Sequence, residues 1–129
     1  MNSIRKLAAI AILAGLGIAQ AQTVVTNPGV TLGAAEVRDI YVGEKQFAGS
    51  IKLVPVDNGS VREQFLAAIV KVDPGKYNSI WAKKGFREGL TPPASKATDS
   101  EVLDFVRKTP GAVGYVGDAS KATGVNVVK

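Results

Sequence analysis

A single mixed α/β domain, a sheet with helices on its faces, is the fold class this sequence predicts. Three observations predict it. Short β-prone runs alternate with segments of helical periodicity. No repeat or low-complexity tract interrupts the alternation. The 129-residue chain suits one domain, and with no cysteine that domain relies on its core rather than on disulfides.

The elements follow in chain order. Thr23 to Thr26 is a β-prone run closed by the turn signal Asn27-Pro28-Gly29. Leu32, Ala34, Ala35, Val37 and Ile40 suit a short helix that begins near Thr31, reaches Tyr41 and stops at Gly43. Lys52 to Val56 reads as a strand, with Asp57 in the turn after it. Ser60 to Val72 reads as a helix, because Val61, Phe65, Ala68, Ile69 and Val72 fall on one stripe. Asp73-Pro74-Gly75 then opens a helix carrying Tyr77, Ile80, Trp81 and Lys84 on one face, with Trp81 expected as a packing anchor. Gly85 to Ser95, with its glycines and the pair Pro92-Pro93, reads as a loop. Thr98 and Glu101 have capping-box spacing ahead of Val102, Leu103 and Val106, and so mark another helix start. Ala112 to Val116 and Val125 to Val128 supply the last strands.

The run Lys108-Thr109-Pro110-Gly111-Ala112-Val113-Gly114-Tyr115-Val116 is the most specific local pattern. Pro110 fixes φ, Gly111 permits a turn, and a short buried strand follows, interrupted by Gly114.

The N-terminus predicts export. Arg5 and Lys6 precede the uncharged apolar run Leu7 to Ala19, and Ala19-Gln20-Ala21 fits a small-x-small cleavage site. Residues 1–21 therefore read as a secretory signal peptide and residues 22–129 as the exported mature domain. The apolar run is shorter than the roughly 20 residues a membrane-spanning helix needs.

Composition excludes several functions. The chain carries 16 Lys and Arg against 11 Asp and Glu, a balance that mildly favours small anions. Its basic residues are scattered and not interleaved with aromatics, which argues against nucleic acid as a partner. With no histidine and no cysteine, Ser-His, Cys-His and His-metal arrangements cannot be built. No enzyme activity, catalytic residue, metal site or cofactor is expected; Asp99 and Glu101 belong to a helix start and serve as caps.

The candidate site is Asn58, Gly59, Ser60, Val61 and Arg62, between a predicted strand and a predicted helix. A helix start presents N–H groups without intrahelical acceptors and a partial positive charge, so an oxyanion can sit there, aided by the Ser60 hydroxyl and the Arg62 guanidinium. Simple helix capping by Asn58 or Ser60, with Gly59 making the turn, accounts for the same residues.

From Val24 to about Ala119 the order of features resembles one lobe of the phosphate-binding proteins of ABC transporters, which have the type 2 periplasmic-binding-protein fold. The resemblance is carried by Ala35-Glu36-Val37-Arg38-Asp39-Ile40-Tyr41-Val42-Gly43-Glu44-Lys45, by Leu53-Val54-Pro55-Val56, by the candidate loop and by the Thr-Pro-Gly strand. Phe65, Trp81, Gly85, Phe86, Gly89 and Pro92-Pro93 are closer to short, single-lobe relatives. In the full-length proteins the loop resembles Arg-x-Asp-Gly-Ser-Gly-Thr. Here Gly59 and Ser60 match in place, Val56 stands at the arginine position, Asn58 replaces the aspartate, and Val61 and Arg62 replace Gly-Thr.

The resemblance implies a periplasmic phosphate or oxyanion binder associated with phosphate transport, with an ABC permease or an outer-membrane protein as partner. The alternative is a noncatalytic single-lobe module that has lost ligand capture and docks to an exported or membrane partner. A homodimer pairing two half-sites would reconcile the two.

Overall fold

Five strands form the central sheet in the order β5-β4-β6-β1-β7, in a computed structural model that describes residues 22–129. The expected signal peptide lies outside the described residues. The strands are β1 (Thr23–Thr26), β4 (Val54–Asn58), β5 (Ala94–Lys96), β6 (Ala112–Val116) and β7 (Asn126–Val127), while β2 (Phe47–Ala48) and β3 (Ile51–Lys52) form a separate hairpin. β4 runs parallel to β5 and β6, whereas β1 is antiparallel to β6 and β7, so the sheet is mixed.

Period-two alternation along the strands separates two cores. Val113 and Tyr115 of β6 and Val24 of β1 face one layer, made by α1 (Ala34–Tyr41), by α2 (Arg62–Phe65) with the π-helical turn Leu66–Val70 that continues it, and by α3 (Pro74–Glu88). Ala112 and Val116, with Val25 and Val56, face α4 (Asp99–Lys108) through Val102, Leu103 and Val106. The expected fold class is the observed one: a mixed sheet flanked by helices.

Aromatic packing centres the first layer. Phe65 stacks on Tyr115 with ring centroids 3.6 Å apart, and Tyr41 meets Phe65 edge-on at 4.9 Å. Trp81 is buried and donates its Nε1–H to the Tyr41 carbonyl at 2.9 Å, as its expected anchoring role requires. In the second layer, a Cβ at Gly114 would meet Val102 Cγ1 at 2.7 Å, so α4 packs directly on the β6 backbone there. Gly111 has φ +86°, the turn conformation for which glycine was expected.

Several boundaries differ from expectation: the helix expected from near Thr31 starts at Ala34, the strand expected from Lys52 starts at Val54 with Lys52 in the separate hairpin, and the last strand is confined to Asn126–Val127. The segment expected as one regular helix, Ser60 to Val72, holds α2 and then a π-helical turn that ends at Lys71, in the left-handed region at φ 64°. The Lys71 N–H bonds the Leu66 carbonyl five residues back, so the buried residues are Phe65, Leu66 and Val70, and Ala68 is exposed. α3 continues through Gly85 to Glu88, and β5 follows Pro92-Pro93 where a loop was expected. β4 extends to Asn58, which puts Asp57 inside the strand and not in a turn.

Candidate functional site

Because β5, β4 and β6 are parallel, their carboxyl ends share one edge of the sheet. The chain leaves β4 and returns to β5 on one side; α4 then carries it across to β6 on the other side. That reversal is a topological switch point, and open α/β sheets hold ligands in the crevice outside such strand ends. The residues after β4, β5 and β6 come together there.

Asn58 organises the first of these loops. Its Oδ1 accepts from the Ser60 N–H at 3.0 Å and the Ser60 hydroxyl at 2.6 Å, while its Nδ2 donates to Asp99 Oδ1 at 2.8 Å and the Tyr115 carbonyl at 3.0 Å. Asn58 is fully buried, and this set of bonds meets the demand of its amide. The Gly59 N–H bonds the Lys96 carbonyl at 2.7 Å, which ties the loop to β5, and the Val61 N–H bonds the Asn58 carbonyl at 3.2 Å. Val61 occupies the N-cap of α2 without a side-chain cap. Neither Asn58 nor Ser60 therefore acts as the side-chain N-cap.

Asp57 points to the opposite face. Its Oδ1 accepts from the Tyr115 hydroxyl at 2.8 Å and its Oδ2 from the Tyr77 hydroxyl at 3.0 Å, with Arg62 Nε 3.8 Å from Oδ2. Burial pushes the carboxyl above its ordinary value, opposed by the two tyrosine bonds and the Arg62 charge. The same burial, with the Asp57 charge, pushes the hydroxyls of Tyr77 and Tyr115 far upward, so they stay protonated donors. Arg62 is held further by Asn78 Oδ1 at 3.0 Å and by the Tyr77 ring, 5.1 Å from Cζ to centroid.

Asp99, expected only to help cap α4, reaches across the crevice. Oδ1 accepts from Asn58 Nδ2 and the Gly117 N–H, and Oδ2 from the Asp118 N–H. Helical spacing could not reveal these links to β4 and β6, because the partners are distant in sequence.

The structure thus keeps Asn58, Gly59, Ser60, Val61 and Arg62 in one loop at the crevice, with Arg62 turned onto Asp57. A cavity of about 360 Å³ lies at the opposite ends of β4 and β5, lined by Leu53, Trp81, Leu90, Pro92, Pro93 and Phe105 among others, and none of the five loop residues lines it. Among the described residues, no group of three His, Cys, Asp or Glu is placed to hold a metal ion.

No protein-family model matches the chain, and no curated protein matches it. Solved structures do. PstS from Borrelia burgdorferi aligns with a TM-score of 0.53 and 17% identity over 84% of this chain. An ABC-type phosphate transport receptor from Vibrio cholerae aligns with a TM-score of 0.60 and 15% identity, also over 84%. The chain spans 46% and 45% of those proteins, less than half of each. What is shared at these identities is the fold, that of one lobe of such a periplasmic binding protein.

Proposed function

We propose that the chain is a noncatalytic, extracytoplasmic oxyanion-binding domain with phosphate as its anion, exported by residues 1–21 and folded over residues 22–129. The observation that carries this reading is the position of the Asn58–Arg62 loop at the switch-point crevice. The first-turn amides of Arg62, Glu63 and Gln64 have no intrahelical acceptors, and a helix start favours negative charge. Ser60 is exposed beside them. Likeness to a phosphate transport receptor supports phosphate as the anion. In this reading a membrane permease or an outer-membrane protein is the downstream partner. Two copies facing one another would shield the anion from water, where single-lobe contacts are weak.

One observation favours a second reading, a docking module without ligand capture. The Ser60 hydroxyl and the Arg62 guanidinium, the two side chains expected to hold the anion, are both engaged by the chain's own acceptors. Calorimetric titration with phosphate and then sulfate, with light scattering on the same sample, separates the two. Saturable phosphate heat supports the oxyanion domain; no heat at millimolar phosphate supports the docking module.

A further inference from the structure

The carboxylate of Asp99 occupies N–H donors at the mouth of the crevice. Its oxygens accept from Asn58 Nδ2 at 2.8 Å, the Gly117 N–H at 3.1 Å and the Asp118 N–H at 3.0 Å. Two of these donors are successive backbone amides just after β6, both directed at the one carboxylate.

Capping of α4 does not account for this reach. Thr98 Oγ1 already accepts from the Glu101 N–H at 3.2 Å, and Glu101 Oε1 accepts from the Ala97 N–H at 3.2 Å. The helix start is served by those two residues, while both Asp99 oxygens turn to the ends of β4 and β6. Space is also tight: a Cβ at Gly117 would meet Val61 Cγ1 at 3.0 Å and Asp99 Oδ2 at 3.9 Å.

We infer that Asp99 is an internal competitor for the oxyanion of this crevice, an autoinhibitory contact that holds the Gly117 and Asp118 amides against an external ligand. The inference rests on the reading of the crevice as an oxyanion site. An anion approaching the β6 side meets occupied donors and a like charge, so the native chain offers only its Ser60–Gln64 side. Removing the carboxylate opens the other side.

The test titrates inorganic phosphate into the full chain and into Asp99→Ala and Asp99→Asn, following backbone amide resonances and thermal melting. Asp99→Asn keeps the side-chain shape and provides a second folded variant should alanine loosen the loops. The expected result is phosphate binding about tenfold tighter in a variant than in the native chain. Phosphate should also move the Gly117 and Asp118 amides and raise the variant's melting temperature saturably.

Folded variants whose Gly117 and Asp118 amides stay still, with affinity unchanged or weaker, overturn the inference. Native shifts at Arg62–Gln64 without that gain leave the proposed function standing and remove the competitor alone. A gain in the variants with a silent native chain supports the competitor and removes phosphate binding by the native protein. Silence throughout overturns both.

Discussion

Arg62 Nε stands 3.8 Å from Asp57 Oδ2 at the end of β4, a guanidinium set against a carboxylate whose side chain is only 5% exposed. The arginine singled out as an anion ligand is thus the counter-charge of a buried acid. Asp57 also accepts from two tyrosine hydroxyls, donors that do not depend on Arg62.

Arg62→Ala should therefore lower stability as well as weaken any anion contact. Losing one partner of a buried pair costs about 3–5 kcal/mol; with Arg62 part-exposed and the tyrosine bonds retained, about 1–2 kcal/mol is expected. Urea unfolding checks this, and an unchanged midpoint would mean that the ion pair contributes nothing.

Asp57 also sets a pH dependence. Burial raises its carboxyl above the ordinary 3.8, against the bonds from Tyr115 and Tyr77 and the charge of Arg62. The unfolded chain releases this proton at lower pH than the folded one, so the folded state binds more protons within that window. Stability from this group is fully present below the ordinary value and is lost as pH rises through the raised one. Asp57→Asn should flatten this part of the stability profile above about pH 4. Identical slopes in variant and native chain would exclude Asp57 as their source.

Gly114→Ala should destabilise without touching the crevice. The added methyl meets Val102 Cγ1 at 2.7 Å, with Val106 Cγ2 and Val56 Cγ1 both at 3.1 Å, and overpacking of this kind costs about 1–3 kcal/mol. Normal melting would show that α4 can shift away from β6.

Lys71, left-handed at φ 64°, closes the π-helical turn. Lys71→Val should lose about 1 kcal/mol or more, because a β-branched residue resists that backbone, whereas Lys71→Gly should be tolerated. Equal melting temperatures for the two variants would argue against the left-handed conformation.

These sites show what the sequence makes legible. Val102, Leu103 and Val106 lie on a regular helix, and Ala112 to Val116 on a strand entered through Pro110-Gly111, so local period and turn chemistry found both. The segment after Ser60 misled because Phe65 and Val70 are brought to one face by a five-residue turn, which a 3.6-residue period cannot anticipate. Asp57 and Asn58 read as loop because polar residues usually end a strand. Here they are buried and satisfied by Tyr77, Tyr115 and Asp99, partners 20 to 58 residues away. The loop Asn58–Arg62 was legible as a place. The direction of Arg62 and the reach of Asp99 depend on tertiary contacts and were not.

Oxyanion binding at the Asn58–Arg62 loop is tested by the amide spectrum of the native chain during phosphate titration. Saturable shifts concentrated at Ser60, Val61, Arg62, Glu63 and Gln64 are expected. A spectrum unchanged at millimolar phosphate, or shifts confined to residues remote from the carboxyl ends of β4 and β6, would contradict that binding.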